Sequence, residues 1–173
     1  MQNEVIKTIL ERRSCKSYLP DAVDSSLIDT IIEAGLYAAN GRGAQSPIIL
    51  AVTDKALRDR LEKLNSSFMP KAGTPFYGAP VVLVVLADKT APTYLYDGSL
   101  VIGNMLLAAQ SLGVGSCWIH RAKQMFESEE GKQILAELGV EGDYEGIGNC
   151  VLGYPAGEIK AAAPRREGRV IKA

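Results

Sequence analysis

Apolar residues recur along this chain at two spacings, and the switches between them mark the elements. Between Asn3 and Arg12, residues Val5, Ile6, Ile9 and Leu10 fall on one stripe of a helix. The segment YLPD, Tyr18 to Asp21, ends that pattern. Asp24 or Ser25 then caps a second helix running to about Ala39, with Leu27, Ile28, Ile31, Ile32 and Leu36 as its apolar face. ANGRGAQSP is a loop by its Asn-Gly and Gly content. IILAVTD, Ile48 to Asp54, reads as a strand ended by a capping residue, and KALRDRLEKLN as a charged surface helix.

The segment NSSFMPKAGTPFYGAP holds no period. After it comes VVLVVLAD, Val81 to Asp88, a continuous run that suits a strand buried on both faces. A helix from about Tyr94 to Leu112 follows. Its second half is apolar all round, so it is expected to be enclosed by protein. The remainder reads as a short strand GSCWI, a helix from Ser128 to Leu138 with Glu129 and Glu130 in its first turn, and a strand IGNCVLGYP. No repeat or low-complexity segment interrupts the order. Helices precede the first strand and the central helix is apolar, which predicts an α+β fold: one sheet with helices packed on it and the central helix buried.

The tail AGEIKAAAPRREGRVIKA is different. Apart from Ile159, Val170 and Ile171 it carries almost no large apolar residue, so it cannot form a core alone. It is either disordered or laid against another surface, and RVIKA could add as an edge strand, in a dimer to the partner.

Composition narrows the function classes. A chain of 173 residues, 47% hydrophobic and 23% charged, suits one globular domain. A net charge of −1 gives no global field for nucleic acid or a membrane surface. No secretory signal pattern opens the sequence, and the most apolar stretch, Ser99 to Val114, is too short to span a bilayer. A cytoplasmic protein is expected. Cys15, Cys117, His120 and Cys150 have the composition of a zinc site, but no CxxC pair is present and Cys15 is remote in sequence, so buried thiols and no metal are expected.

The chemistry is sparse. GVGSCW and GRGAQS each contain GxG without the third glycine, and no GxxxxGK[ST] occurs, so a backbone phosphate cradle of the usual kinds is not supported. His120 is the sole histidine and no GxSxG elbow exists, which leaves little for nucleophilic catalysis. A chain this poor in acid–base residues can still be an enzyme if a cofactor carries the reaction. One feature stands out against the neutral background: LERRSCKSY sets Arg12, Arg13 and Lys16 around Ser14. Cations at a helix carboxyl end are worth about 0.3–1 kcal/mol each, which accounts for Arg12 and Arg13 but less well for Lys16. With Arg165 and Arg166 in the tail, the clusters point towards an anionic ligand such as a phosphate monoester.

ERRSCKSY, AANGRGAQSP, YGAPVVLVV, NMLLAAQSLGVGSCWI and VLGYPAGE, in this order and spacing, resemble the FMN-dependent nitroreductase family at its compact end, over nearly the whole chain. The resemblance implies an α+β sandwich with a central mixed sheet, helices on both faces and a buried central helix. It implies an intertwined homodimer with FMN at the subunit interface. Residues 1–154 would form the flavin-binding domain, and residues 155–173 an extension packing on the partner.

By the same resemblance, Arg12, Ser14 and Lys16, with Arg13 alongside, would hold the phosphate and the pyrimidine edge. Asn40, Gly41 and Gln45 would reach the flavin from the other subunit. Ile119 and His120 would sit near the reactive ring nitrogen, and Arg165 and Arg166 would add phosphate contacts; Lys71 matches only weakly. The chain departs from the family pattern at Arg42 and Gly43, and at His120–Arg121, where family members often carry an acidic residue and glycine. The implied reaction is ping-pong hydride transfer from NADH or NADPH through FMN to a small flat acceptor, a nitroaromatic or a quinone. A flavin-binding module without turnover, or a specialised flavin enzyme of dehalogenation or dehydrogenation, are the alternatives.

Overall fold

A computed structural model describes residues 3–173 of the chain. Helix α1 covers Glu4–Glu11 and α2 covers Ser25–Leu36. A single 3-10 turn at Gly41–Gly43 leads to strand β1, Pro47–Val52. Then come α3 (Lys55–Ser67), β2 (Val81–Asp88), α4 (Tyr94–Ser111), β3 (Gly115–Ile119), α5 (Ala122–Glu127), α6 (Glu129–Glu137) and β4 (Tyr144–Gly153). α1, α2, α3 and α6 start on capping side chains, Asp24 serving α2, whereas α4 and α5 have none. Asn3, Asp54 and Ser128 accept from Ile6 N–H (3.0 Å), Leu57 N–H (2.8 Å) and Gly131 N–H (3.1 Å). Gly113, at φ +72°, ends α4, and the Val114 N–H turns back onto the Ala109 carbonyl (2.9 Å).

The four strands form one sheet in the order β1-β2-β4-β3. Every ladder is antiparallel, which corrects the expected mixed sheet. The reason lies in the connections. α3 runs away from the end of β1, and irregular segment 68–80 brings the chain back to the same end, where Val82 pairs with Val52. The α5–α6 pair makes the same kind of return from β3 to β4. β2 and β3 do run parallel to each other, since both are antiparallel to β4, but β4 lies between them. Helix α4 is the crossover of this split unit.

Helices cover both faces. Val81, Leu83 and Val85 face α2 and α4, packing with Ile28, Ile31, Val101, Ile102 and Met105. Val82, Val84 and Leu86 face α3, α5 and α6, packing with Leu61, Phe76, Met125 and Ile134. This two-sided burial is why the β2 sequence does not alternate. Each of those six side chains contributes about 1.5–3 kcal/mol of burial free energy.

Three other expectations meet differences. In the second half of α4, which is expected to be enclosed, Met105 and Ala109 are buried and Leu106, Leu107 and Ala108 half-buried, while Leu95, Tyr96 and Leu100 of the first half stay exposed. The sheet and α2 cover part of α4 and leave the rest of its surface open. Helix α5 was not expected; its six residues are too few to show a period. The RVIKA segment adds to no strand of its own chain, and Val170 and Ile171 are exposed.

Candidate functional site

The basic segment folds as a short extended stretch after α1. Its alternation buries Cys15 and exposes Ser14 and Lys16. Ser14 bridges Ser116 of β3 in parallel sense, and the Cys15 N–H donates to the Ser116 carbonyl at 2.9 Å. The segment thus lies along the outer edge of β3. The three cations divide. Arg13 turns back on the helix it follows, donating to the carbonyls of Leu10 (2.8 Å) and Arg12 (2.5 Å), and its Nε is buried without a partner. Arg12 and Lys16 form no ion pair among the described residues. The Lys16 ammonium stands 5.9 Å over the Tyr77 ring.

The tail returns to this segment. Tyr18 bridges Pro155, the Leu19 N–H donates to Tyr154 O (2.8 Å) and the Ala156 N–H to Ser17 O (3.0 Å). Two clefts result. One, of about 460 Å³, lies between Arg13–Ser17 and Pro155–Lys160. The other, of about 620 Å³, lies between Ile9–Ser14 and Ala161–Arg165, with Arg12, Arg13 and Arg165 in its wall and no acidic side chain among its lining residues. Arg12, Arg13, Ser14 and Arg165 are therefore brought together, and Lys16 lines the adjoining cleft. Arg166 and Lys71 line neither. Beneath them the Cys117 thiol is pushed up by burial, opposed by its hydrogen bond with Ser14 and by the Lys16 and Arg12 charges.

Ile119 and His120 lie at the far end of the same strand. The His120 ring tilts against Trp118, with centroids 5.5 Å apart. The turn that follows is held from inside. Asn65, buried at the end of α3, donates to the His120 carbonyl (2.7 Å) and accepts from Arg121 Nε (3.2 Å). Arg121 takes a left-handed backbone, φ +78°, a conformation that suits glycine. The position where family members often carry glycine thus keeps glycine-like geometry here with an arginine in it.

Asn40, Gly41 and Gln45 occupy the loop before β1. Asn40 Oδ1 accepts from Gln45 N–H (3.0 Å), and Arg42 and Gln45 are both left-handed, at φ +57° and +49°. The loop is anchored by Asp97, a carboxylate wholly inside α4's packed face. Asp97 accepts from Gly41 N–H (3.0 Å), Thr93 Oγ1 (2.8 Å) and Ser46 Oγ (3.3 Å). Gly41 is required there, because a Cβ would meet Thr93 Oγ1 at 2.2 Å. With Tyr77 (φ +55°), the four left-handed residues other than glycine among the described residues all lie in the stretches just described or under Lys16. Asn65 and Asp97 were not singled out in the sequence; a lone polar residue inside an apolar helical face is the only signal they leave.

This loop does not meet the basic segment within one chain. It precedes β1 at one edge of the sheet, while Arg12–Lys16 lie outside β3 at the other. Four strand spacings of ~4.8 Å separate them by roughly 19 Å.

Comparison with known proteins agrees with this layout. The Nitroreductase family model matches residues 9–77 and 71–154. An Archaeoglobus fulgidus protein named NADH dehydrogenase/NAD(P)H nitroreductase is 30% identical over 161 residues, 90% of this chain and 87% of that protein. A Bacillus subtilis protein named as an NAD(P)H FMN reductase is 29% identical over 94% of this chain and 70% of its own length. The crystal structure of a Bacteroides fragilis nitroreductase with bound FMN superposes with a TM-score of 0.90 at 27% identity, covering 99% of this chain and 100% of that one. A sheet with these helices on its two faces, a basic stretch along β3 and family matches spanning both place this chain in the nitroreductase family.

Proposed function

We propose that this protein is an FMN-dependent oxidoreductase that takes hydride from NADH or NADPH and delivers it, in ping-pong order, to a flat acceptor such as a nitroaromatic or quinone. The observation that carries the reading is the cleft between Arg12–Ser14 and Ala161–Arg165. Its charged lining is all cationic, a hydroxyl stands beside it, and Arg12 and Lys16 form no ion pair among the described residues, although Glu158 also lines the Lys16 cleft. That donor set fits a phosphate monoester. The FMN in the B. fragilis structure and the name of the B. subtilis relative support FMN as that group.

Bound FMN supplies hydride acceptance and donation. The chain's own residues bind and tune. Arg12, Ser14 and Arg165 neutralise and hydrogen-bond the phosphate. Lys16 stabilises the negative charge that reduction places on the pyrimidine edge. The backbone at Ile119 and His120 lies three and four residues along the chain from Ser116, about 10–14 Å at the rise of an extended strand. An extended mononucleotide can therefore touch both ends of one strand.

A homodimer completes the site. α1 buries none of its residues, leaving Val5, Ile6, Ile9 and Leu10 exposed, and the outer face of α4 exposes Leu95, Tyr96 and Leu100. Pairing these faces covers them and brings Asn40, Gly41 and Gln45 of one protomer to the cradle of the other. Residues 1–154 then form the domain, and the end of extension 155–173, with Val170 and Ile171, packs on the partner. The three unpaired, buried cysteines suit a reducing cytoplasm, and among the described residues no helix is long and apolar enough to cross a membrane.

The deciding experiment is the visible absorption spectrum of the purified protein, followed by anaerobic bleaching with each nicotinamide. A flavin spectrum bleached by NADH or NADPH and restored by a quinone is expected. A colourless protein that FMN cannot reconstitute overturns the proposal, and bound FMN that neither nicotinamide reduces leaves only a binding module.

A further inference from the structure

We infer that Asn65 is a positioning residue: it clamps the turn Ile119–Arg121 so that two consecutive backbone N–H groups face the ring end of the ligand. This rests on the FMN reading above. Three contacts converge on the Asn65 amide, which is fully buried. Its Nδ2 donates to the His120 carbonyl at 2.7 Å and lies 3.1 Å from Met125 Sδ; its Oδ1 accepts from Arg121 Nε at 3.2 Å. A second wholly buried amide, Asn149 of β4, donates to the Ile119 carbonyl at 3.4 Å and approaches the same sulfur at 3.6 Å.

The carbonyls of Ile119 and His120 are thus both held from the interior. In a trans peptide the C=O and the following N–H point in opposite directions, and no cis peptide occurs among the described residues. The His120 N–H therefore faces away from Asn149, and the Arg121 N–H faces away from Asn65. Neither donates to a protein group among the described residues. Successive N–H groups beside a left-handed residue form a concavity that receives an electron-rich atom. Arg121 must hold φ +78° for this turn, and the bond from its own guanidinium to Asn65 secures a conformation that arginine disfavours. If Asn65 only satisfied one buried carbonyl, its grip on the next side chain would have no purpose.

The clamp predicts a preference for the oxidised ligand, whose reactive ring nitrogen accepts from those N–H groups until hydride transfer places a hydrogen on it. The test is Asn65→Ala in FMN-reconstituted protein, read by the two-electron midpoint potential of the bound flavin, by FMN affinity and by the Tm of the apoprotein. FMN remains bound, and the preference for oxidised over reduced FMN falls about tenfold, a potential higher by ~30 mV for a two-electron couple. In an Arg121→Gly background, where glycine adopts the turn unaided, Asn65→Ala moves the potential less than half as far. Asn65→Ser, too short to span both partners, serves if the alanine variant does not fold and carries the same expectation. A lowered Tm with an unmoved potential makes Asn65 a core residue only and overturns the inference. Equal shifts in both backgrounds overturn the clamp on Arg121. Failure of the unmutated protein to bind FMN removes the functional reading and this inference together, whereas bound FMN with an unmoved potential removes this one alone.

Discussion

The Cys15 N–H donates to the carbonyl of Ser116 at 2.9 Å. That bond, between residues a hundred positions apart, lays the basic segment along β3 and makes one strand the backbone of the whole site. Ser14 and Lys16 emerge on either side of the buried Cys15, while Ile119 and His120 end the strand they lie against.

Lys16→Met keeps the length of the side chain and removes its charge. FMN binding weakens by roughly tenfold or more, on the scale of a charge-assisted hydrogen bond, and the midpoint potential of the bound flavin falls. Fluorescence titration and a redox titration measure the two effects. Unchanged affinity and potential would remove Lys16 from the site.

Arg12→Ala separates the phosphate from the ring. The variant loses most of its preference for FMN over riboflavin, because riboflavin lacks the group that Arg12 neutralises. Competitive titration of both flavins against the unmutated protein reads the ratio. A retained preference would move the phosphate elsewhere.

Asp97→Ala strands three donors, Gly41 N–H, Thr93 Oγ1 and Ser46 Oγ, in a buried place. A loss of about 2–4 kcal/mol is expected from the unpaired groups, seen as a lower urea midpoint. The loop before β1 becomes accessible to limited proteolysis while the far side of the sheet stays protected.

Gly131→Ala tests the corner between α5 and α6, where a Cβ would fall 1.9 Å from the Met125 carbonyl oxygen. The backbone must move, at a cost of about 1–3 kcal/mol. For a chain of this size that lowers Tm by roughly 2–12 °C.

Alkaline pH acts through the buried thiols. Burial pushes Cys150 up from its ordinary value of 9.0 to about 12, and it raises Cys117 and Tyr18 as well. Above pH 9 the unfolded chain releases the Cys150 proton while the folded chain keeps it. Stability is therefore whole below that pH and falls by about 1.4 kcal/mol per unit between pH 9 and about 12 for this group alone. Denaturant midpoints measured across that window follow the fall, and Cys150→Ala makes it shallower.

Much of the layout was legible because periodicity reports burial. The run at Val81–Asp88 announced a strand covered on both faces, and the stripe Val5, Ile6, Ile9, Leu10 announced α1. The same stripe could not say what covers it, since no residue of α1 is buried in its own chain. Antiparallel pairing escaped the reading because it depends on where segment 68–80 returns, and an aperiodic segment carries no direction. The grouping of Arg12, Ser14 and Lys16 was visible as charge density, but the conversion of Arg13 into a helix cap needed coordinates. Asn65 and Asp97 stayed hidden because their roles come from partners 55 and 56 residues away.

The cleft that holds Arg12 also holds Arg165, so its two walls come from segments about 150 positions apart in the order of synthesis. A nascent chain still threaded through the ribosome has one wall and not the other. On the proposed FMN reading, loading of the prosthetic group waits until Arg165 has emerged, and a polypeptide stalled before residue 155 holds most of the core but lacks the second wall of that cleft.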